Sequence, residues 1–90
     1  MTDERMMDDV KLLSGHPFDV ELDARQLACP LPILRAKKSL SQMASGQVLR
    51  ITATDKGAPK DFVEFCRQTG NELLSSTVQN GELVFLIRRR

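Results

Sequence analysis

Ninety residues, 41% of them hydrophobic and 28% charged with a formal net charge of +1, describe one small globular domain. A chain this short buries only roughly 60% of the surface its unfolded form exposes, which leaves one core and no room to enclose a large cofactor. Near-neutral charge and 4% aromatic content, all Phe, argue against nucleic-acid binding, and no apolar run approaches the ~20 residues that span a bilayer.

Residues 1–16 mix acids, bases and methionines without periodicity and end at Gly15-His16-Pro17. They read as a flexible extension ahead of a domain over 17–90. They lack the continuous apolar stretch of a signal peptide, so a cytoplasmic location is the expectation. His16 stands alone beside Gly and Pro, and neither metal ligation nor acid–base work is expected of it.

From Phe18 the pattern becomes strict. Phe18, Val20 and Leu22 alternate with Asp19, Glu21 and Asp23, the signature of a half-buried strand. The stretch Leu27-Ala28-Cys29-Pro30-Leu31-Pro32 then opens a helix expected over Pro30 to Ala44. Ile33, Ala36, Leu40 and Met43 recur at steps of three and four, Leu34 broadens the stripe, and Arg35, Lys37, Lys38 and Gln42 face away. Ser45-Gly46 supplies the stop.

Val48 to Ala53 alternates again, with Leu49, Ile51 and Ala53 on one face. Asp55 to Pro59 is a turn and helix start, where Asp55 is expected to bond its own backbone and Asp61 to complement the helix dipole. Phe62, Phe65, Cys66 and Thr69 share a face, and Gly70 ends the helix. Leu73–Val78 and Glu82–Arg88 are extended runs joined by Asn80-Gly81, a strong hairpin signal. The order βαβαββ, with one apolar stripe per helix, gives an α+β fold. Its architecture is a two-layer sandwich, two helices on one face of a four-stranded mixed sheet. Arg88-Arg89-Arg90 reads as a solvated tail; docking of an acidic partner or an RNA backbone is the other use for it.

The two prolines define the site. Pro30 biases Cys29 toward extended backbone, which suits an N-cap, and Pro30 would then be the first helical residue. Pro32 still lies among the first four residues, whose N–H groups have no helical partner. Cys29 is thus expected at the tip of a rigid helix start, with the free N–H groups of Leu31 and Ile33 and the positive dipole end lowering its pKa. Arg25, Arg35, Lys37 and Lys38 add positive charge nearby and are candidates for partner docking. A free cysteine is also a small hydrophobe that would suit burial among Leu27, Ala28 and Leu31; the paired prolines favour the exposed, reactive thiol. Cys66, on the apolar face beside Phe62 and Phe65, reads as core. The spacing of the two cysteines matches neither a zinc site nor a redox pair.

LDARQLACPLPILRAKK from Leu22, with ITATDKGAPKDFVEFCRQTGNELLSS from Ile51, resembles the TusA/SirA-like sulfur carrier family over residues 18–90. The motif that carries the resemblance is Cys29-Pro30-Leu31-Pro32 after the strand end; where the family usually has Gly after LDAR, this chain has Gln26. The resemblance implies the same βαβαββ sandwich and a sulfane sulfur accepted on Cys29 as a persulfide. It implies a cysteine desulfurase or rhodanese-like protein as donor and a downstream sulfur-acceptor protein, in tRNA thiolation or another branch of sulfur metabolism. No cofactor or metal is expected, because persulfide exchange needs only a thiolate and a docking surface. The alternative is a thiol-based redox-sensing or regulatory interaction module without sulfur transfer.

Overall fold

The computed structural model describes residues 18–90. The expectations for the 1–16 extension and for His16 lie outside those residues. The elements are β1 (Val20–Ala24), α1 (Leu31–Ser41), β2 (Val48–Ala53), α2 (Ala58–Thr69), β3 (Glu72–Gln79) and β4 (Glu82–Arg88). The sheet order is β1-β2-β4-β3. β1 and β2 are parallel, with Val20 opposite Leu49 and Ala24 opposite Ala53. β4 runs antiparallel to both β2 and β3. This is the expected α+β two-layer sandwich.

One set of alternating positions faces the helices. Leu49, Ile51 and Ala53 of β2 and Phe85 and Ile87 of β4 form a single buried cluster with Ala36 and Leu40 of α1 and Phe62, Phe65 and Cys66 of α2. Both helices therefore cover the same face. Phe62 is fully buried, with its ring centroid 4.7 Å from that of Phe85 and 6.4 Å from that of Phe65. Truncating such a side chain costs about 3–5 kcal/mol. β4 departs from the one-faced pattern, since Val84 and Leu86 on the opposite face are buried too. It is an interior strand, paired on both edges.

The hairpin forms as expected: Asn80 and Gly81 take φ of 53° and 78°, the left-handed pair that a two-residue turn requires. Gly70 ends α2 in the left-handed region, its N–H bonded to the Cys66 carbonyl.

Four expectations are corrected. Strand pairing starts at Val20, and Phe18 lies instead beneath the Arg50 guanidinium, 5.6 Å from the ring centroid. α1 ends at Ser41, three residues early, because Gln42 and Met43 bond to carbonyls only three residues back and tighten the last turn. Gly46 (φ 90°) does not cap the helix; its N–H goes to the Arg89 carbonyl. Leu34, expected to widen the buried stripe, is 53% exposed, and Pro32 is buried in its place.

The basic tail is docked. Arg89 Nε donates to the Leu40 carbonyl at 2.6 Å, and its N–H to the Gln47 carbonyl at 2.8 Å. Arg88 pairs with Glu72, and the Arg90 N–H donates to Asn71 Oδ1 at 2.9 Å. The cause is register: β4 runs on beside β2 to Arg88 and carries Arg89 to the Leu40 carbonyl near the carboxyl end of α1, where a cation is favoured.

Candidate functional site around Cys29

Parallel pairing of β1 and β2 decides where the site lies. Both helices begin just beyond the carboxyl ends of these two strands, so their N-termini sit side by side. The loops are tied directly, the Gln26 N–H donating to Thr54 Oγ1 at 2.8 Å. Gln26 takes φ 66°, a left-handed backbone that a glycine would adopt without a steric penalty.

Cys29 is exposed and its thiol is free. The helix start lies one residue later than expected, with Pro30 at the N-cap and Leu31 first in the helix. The Cys29–Pro30 peptide bond is cis, not part of the sequence expectation. The Leu31 N–H is spent on the Ala28 carbonyl at 2.8 Å, and the first helical bond runs from the Leu34 N–H to the Pro30 carbonyl. Pro30 and Pro32 have no N–H to offer. The prolines that hold the cysteine at the tip thus leave it fewer amide donors.

The thiol is accordingly not activated in the way the motif suggested. Its pKa is raised, first by a hydrogen bond to the Asp61 carboxylate, then by desolvation and by the negative charges of Asp61 and Asp55. A neighbouring carboxylate disfavours a second negative charge, so the proton stays on sulfur to higher pH. Asp61 lies in the first turn of α2, as expected for a dipole partner, and its N–H donates to the Gly57 carbonyl at 3.1 Å. Asp55 Oδ2 accepts from the Gly57 N–H at 3.1 Å, the expected local bond. Sequence reading missed Asp61 as a site residue because only the strand register brings it to Cys29.

With this geometry established, likeness to known proteins becomes informative. The sequence profile of the family described as Sulfurtransferase TusA matches residues 20–89. The chain belongs to the TusA family. The sulfur carrier protein TusA of Allochromatium vinosum is 60% identical over 72 residues, covering 80% of this chain and 95% of that protein. The sulfur carrier protein TusA of Pseudomonas entomophila is 36% identical, covering 80% of this chain and 90% of that protein. A crystal structure of a SirA-like protein from Desulfitobacterium hafniense superimposes with a TM-score of 0.71 at 22% identity, covering 78% of this chain and 96% of that one. It shares the fold. A sulfur carrier role follows from membership of the TusA family.

In this TusA-family chain the remaining candidates are dispersed. Cys66 is buried against the core, and burial pushes its thiol up to about 11. Arg35, Lys37 and Lys38 are exposed along α1. Arg25 is engaged: its Nε and Nη2 donate to the two carboxylate oxygens of Asp23 at 2.9 and 3.0 Å, and Nη1 lies 3.5 Å from Glu82. That fork holds the Asp23 carboxyl down to about 2. The charges acting on the Cys29 thiol are thus acidic, where the sequence had pointed to basic ones. Among the described residues no group of three or more His, Cys, Asp or Glu side chains is placed to hold a metal. No described helix is long and apolar enough to cross a membrane.

Proposed function

We propose that Cys29 is the residue on which this TusA-family protein carries sulfur, as a persulfide. The observation that carries the reading is the contrast between the two cysteines: Cys29 is exposed at a helix tip, and Cys66 is closed into the core. Loading is an exchange in which the Cys29 sulfur attacks the outer sulfur of a donor persulfide. One S–S bond forms, one breaks, and the donor leaves as a thiol with the displaced proton. Unloading is the same step with an acceptor thiolate attacking the outer sulfur on Cys29.

The donor is a cysteine desulfurase or a rhodanese-like protein, and the acceptor a downstream protein of a cytoplasmic relay toward tRNA thiolation or another branch of sulfur metabolism. The surface around Cys29 suits protein docking, because Leu31 and Leu34 are 44% and 53% exposed on the same helix as Arg35, Lys37 and Lys38.

Incubation with a cysteine desulfurase and cysteine, followed by peptide mass spectrometry, tests the reading. One reductant-labile sulfur atom is expected on the Cys29 peptide and none after Cys29→Ser. An adduct on Cys66, or on neither cysteine, overturns it.

A further inference from the structure

The two edges of the sheet are built differently. β1 is five residues long and carries Glu21 and Asp23, so its outer edge is short and charged, the usual protection against pairing with another chain. β3 is eight residues long, and none of residues 73–79 is charged, proline or glycine. Its one irregularity is the register shift between Leu73 and Ser75; over residues 75–79 it pairs with β4 residue for residue. Among the described residues no strand lies on its other side. Ser76, Thr77, Val78 and Gln79 are all exposed, Val78 to 69%. Every second residue of this stretch turns a backbone N–H and C=O outward, available to a further strand.

The stretch also matches itself. When two copies meet antiparallel about a two-fold axis at Thr77, Ser75 lies opposite Gln79 and Ser76 opposite Val78. The faces agree in that register. Ser75, Thr77 and Gln79 neighbour Leu86, Val84 and Glu82 of β4 on the face turned from the helices, and Ser76 and Val78 lie on the helix face. No like charges oppose one another within it. Glu72 and Glu82, beside its two ends, are paired with Arg88 and Arg25. At a net charge of +1, two copies hardly repel. Because the same edge serves both chains and β1 is charged, the assembly closes at two.

We propose that β3 is a self-association edge, on which two copies of this chain pair antiparallel over residues 75–79 and join their four-stranded sheets into one. So short a pairing buries little side-chain area, and the dimer is weak and concentration-dependent. The sulfur site stays uncovered. Cys29 follows β1, which lies three strand spacings from β3, roughly 14 Å at about 4.8 Å each. The dimer therefore presents its two thiols beyond opposite edges of the joined sheet.

Sedimentation equilibrium of the full chain from micromolar to millimolar concentration tests this, in excess reductant to exclude a Cys29 disulfide. The average mass should climb from the monomer toward the dimer value. Amide hydrogen exchange at alternate residues of 75–79 should slow several-fold over the same range. Thr77→Lys, which sets two ammonium groups face to face at the axis, should weaken association several-fold, and Thr77→Val should associate as the parent does. Ser76→Lys is a second charged variant should Lys at 77 disturb the sheet, and folding of each is checked by circular dichroism. A monomer at every concentration overturns the proposal, as does association that the folded lysine variants leave unchanged. Edge amides protected equally at the lowest and highest concentrations would show the edge covered within one chain, and would overturn it too.

Discussion

The Gln26 N–H donates to Thr54 Oγ1 at 2.8 Å, stitching the loop after β1 to the loop after β2 at the end of the sheet where Cys29 sits. The bond depends on Gln26 holding φ 66°, a conformation costing a non-glycine residue about 1–2 kcal/mol. Gln26→Gly removes that strain and adds unfolded-chain entropy, for a net gain of about 0.5–1 kcal/mol. Thr54→Val deletes the acceptor at a solvent-exposed site and should lose about 1 kcal/mol. Urea unfolding midpoints check both, and a Gln26→Gly protein less stable than the parent would contradict the strain.

Arg89 closes the carboxyl end of α1. Its guanidinium joins a charge-assisted hydrogen bond to a favourable interaction with the helix dipole, so Arg89→Met should destabilise by about 1–2 kcal/mol. Arg88 makes an exposed pair with Glu72, and Arg88→Met should cost less than about 0.5 kcal/mol. Equal losses in chemical denaturation would show that the tail is merely solvated.

At Gly70, φ is 83° and an added Cβ would lie 2.9 Å from Arg90 Cδ. Gly70→Ala should lower stability by about 1–2 kcal/mol through the backbone alone. Because the contact is with the far part of Arg90's flexible side chain, which can swing aside, adding Arg90→Ala should restore little. Full recovery in the double variant would assign the loss to the clash.

Cys66 gives the fold an alkaline limit. Its ordinary pKa of 9.0 rises to about 11 on burial, so the folded state binds the proton more tightly than the unfolded chain. The associated stability is complete below pH 9 and is lost as pH rises from 9 to about 11, a loss of about 2 kcal/mol. Lysines titrate in the same range, so the comparison is with Cys66→Ala. The parent's stability advantage over that variant should shrink across this window, and a constant difference would remove Cys66 from the account.

Much of this was legible in the sequence because the signals are local. The alternation of Leu49, Ile51 and Ala53, the Phe62–Phe65–Cys66 stripe and the Asn80-Gly81 turn each determine a conformation through neighbours a few residues away. Leu34 misled because a helical stripe shows which residues share a face but not how far the facing sheet extends. The tail misled because a run of arginines looks solvated until strand pairing carries it to the carbonyls of another element.

For Cys29 the division is sharpest. The chain by itself determined that a cysteine would stand exposed at a helix start built from two prolines, since proline is tolerated in few other helical positions. Only the tertiary structure decided what surrounds its sulfur. The motif pointed to amide donors and a lowered pKa; folding uses the Leu31 N–H elsewhere and brings Asp61 across from α2. Proton affinity depends on charges within a few ångströms, and β1–β2 pairing, not sequence distance, sets those neighbours.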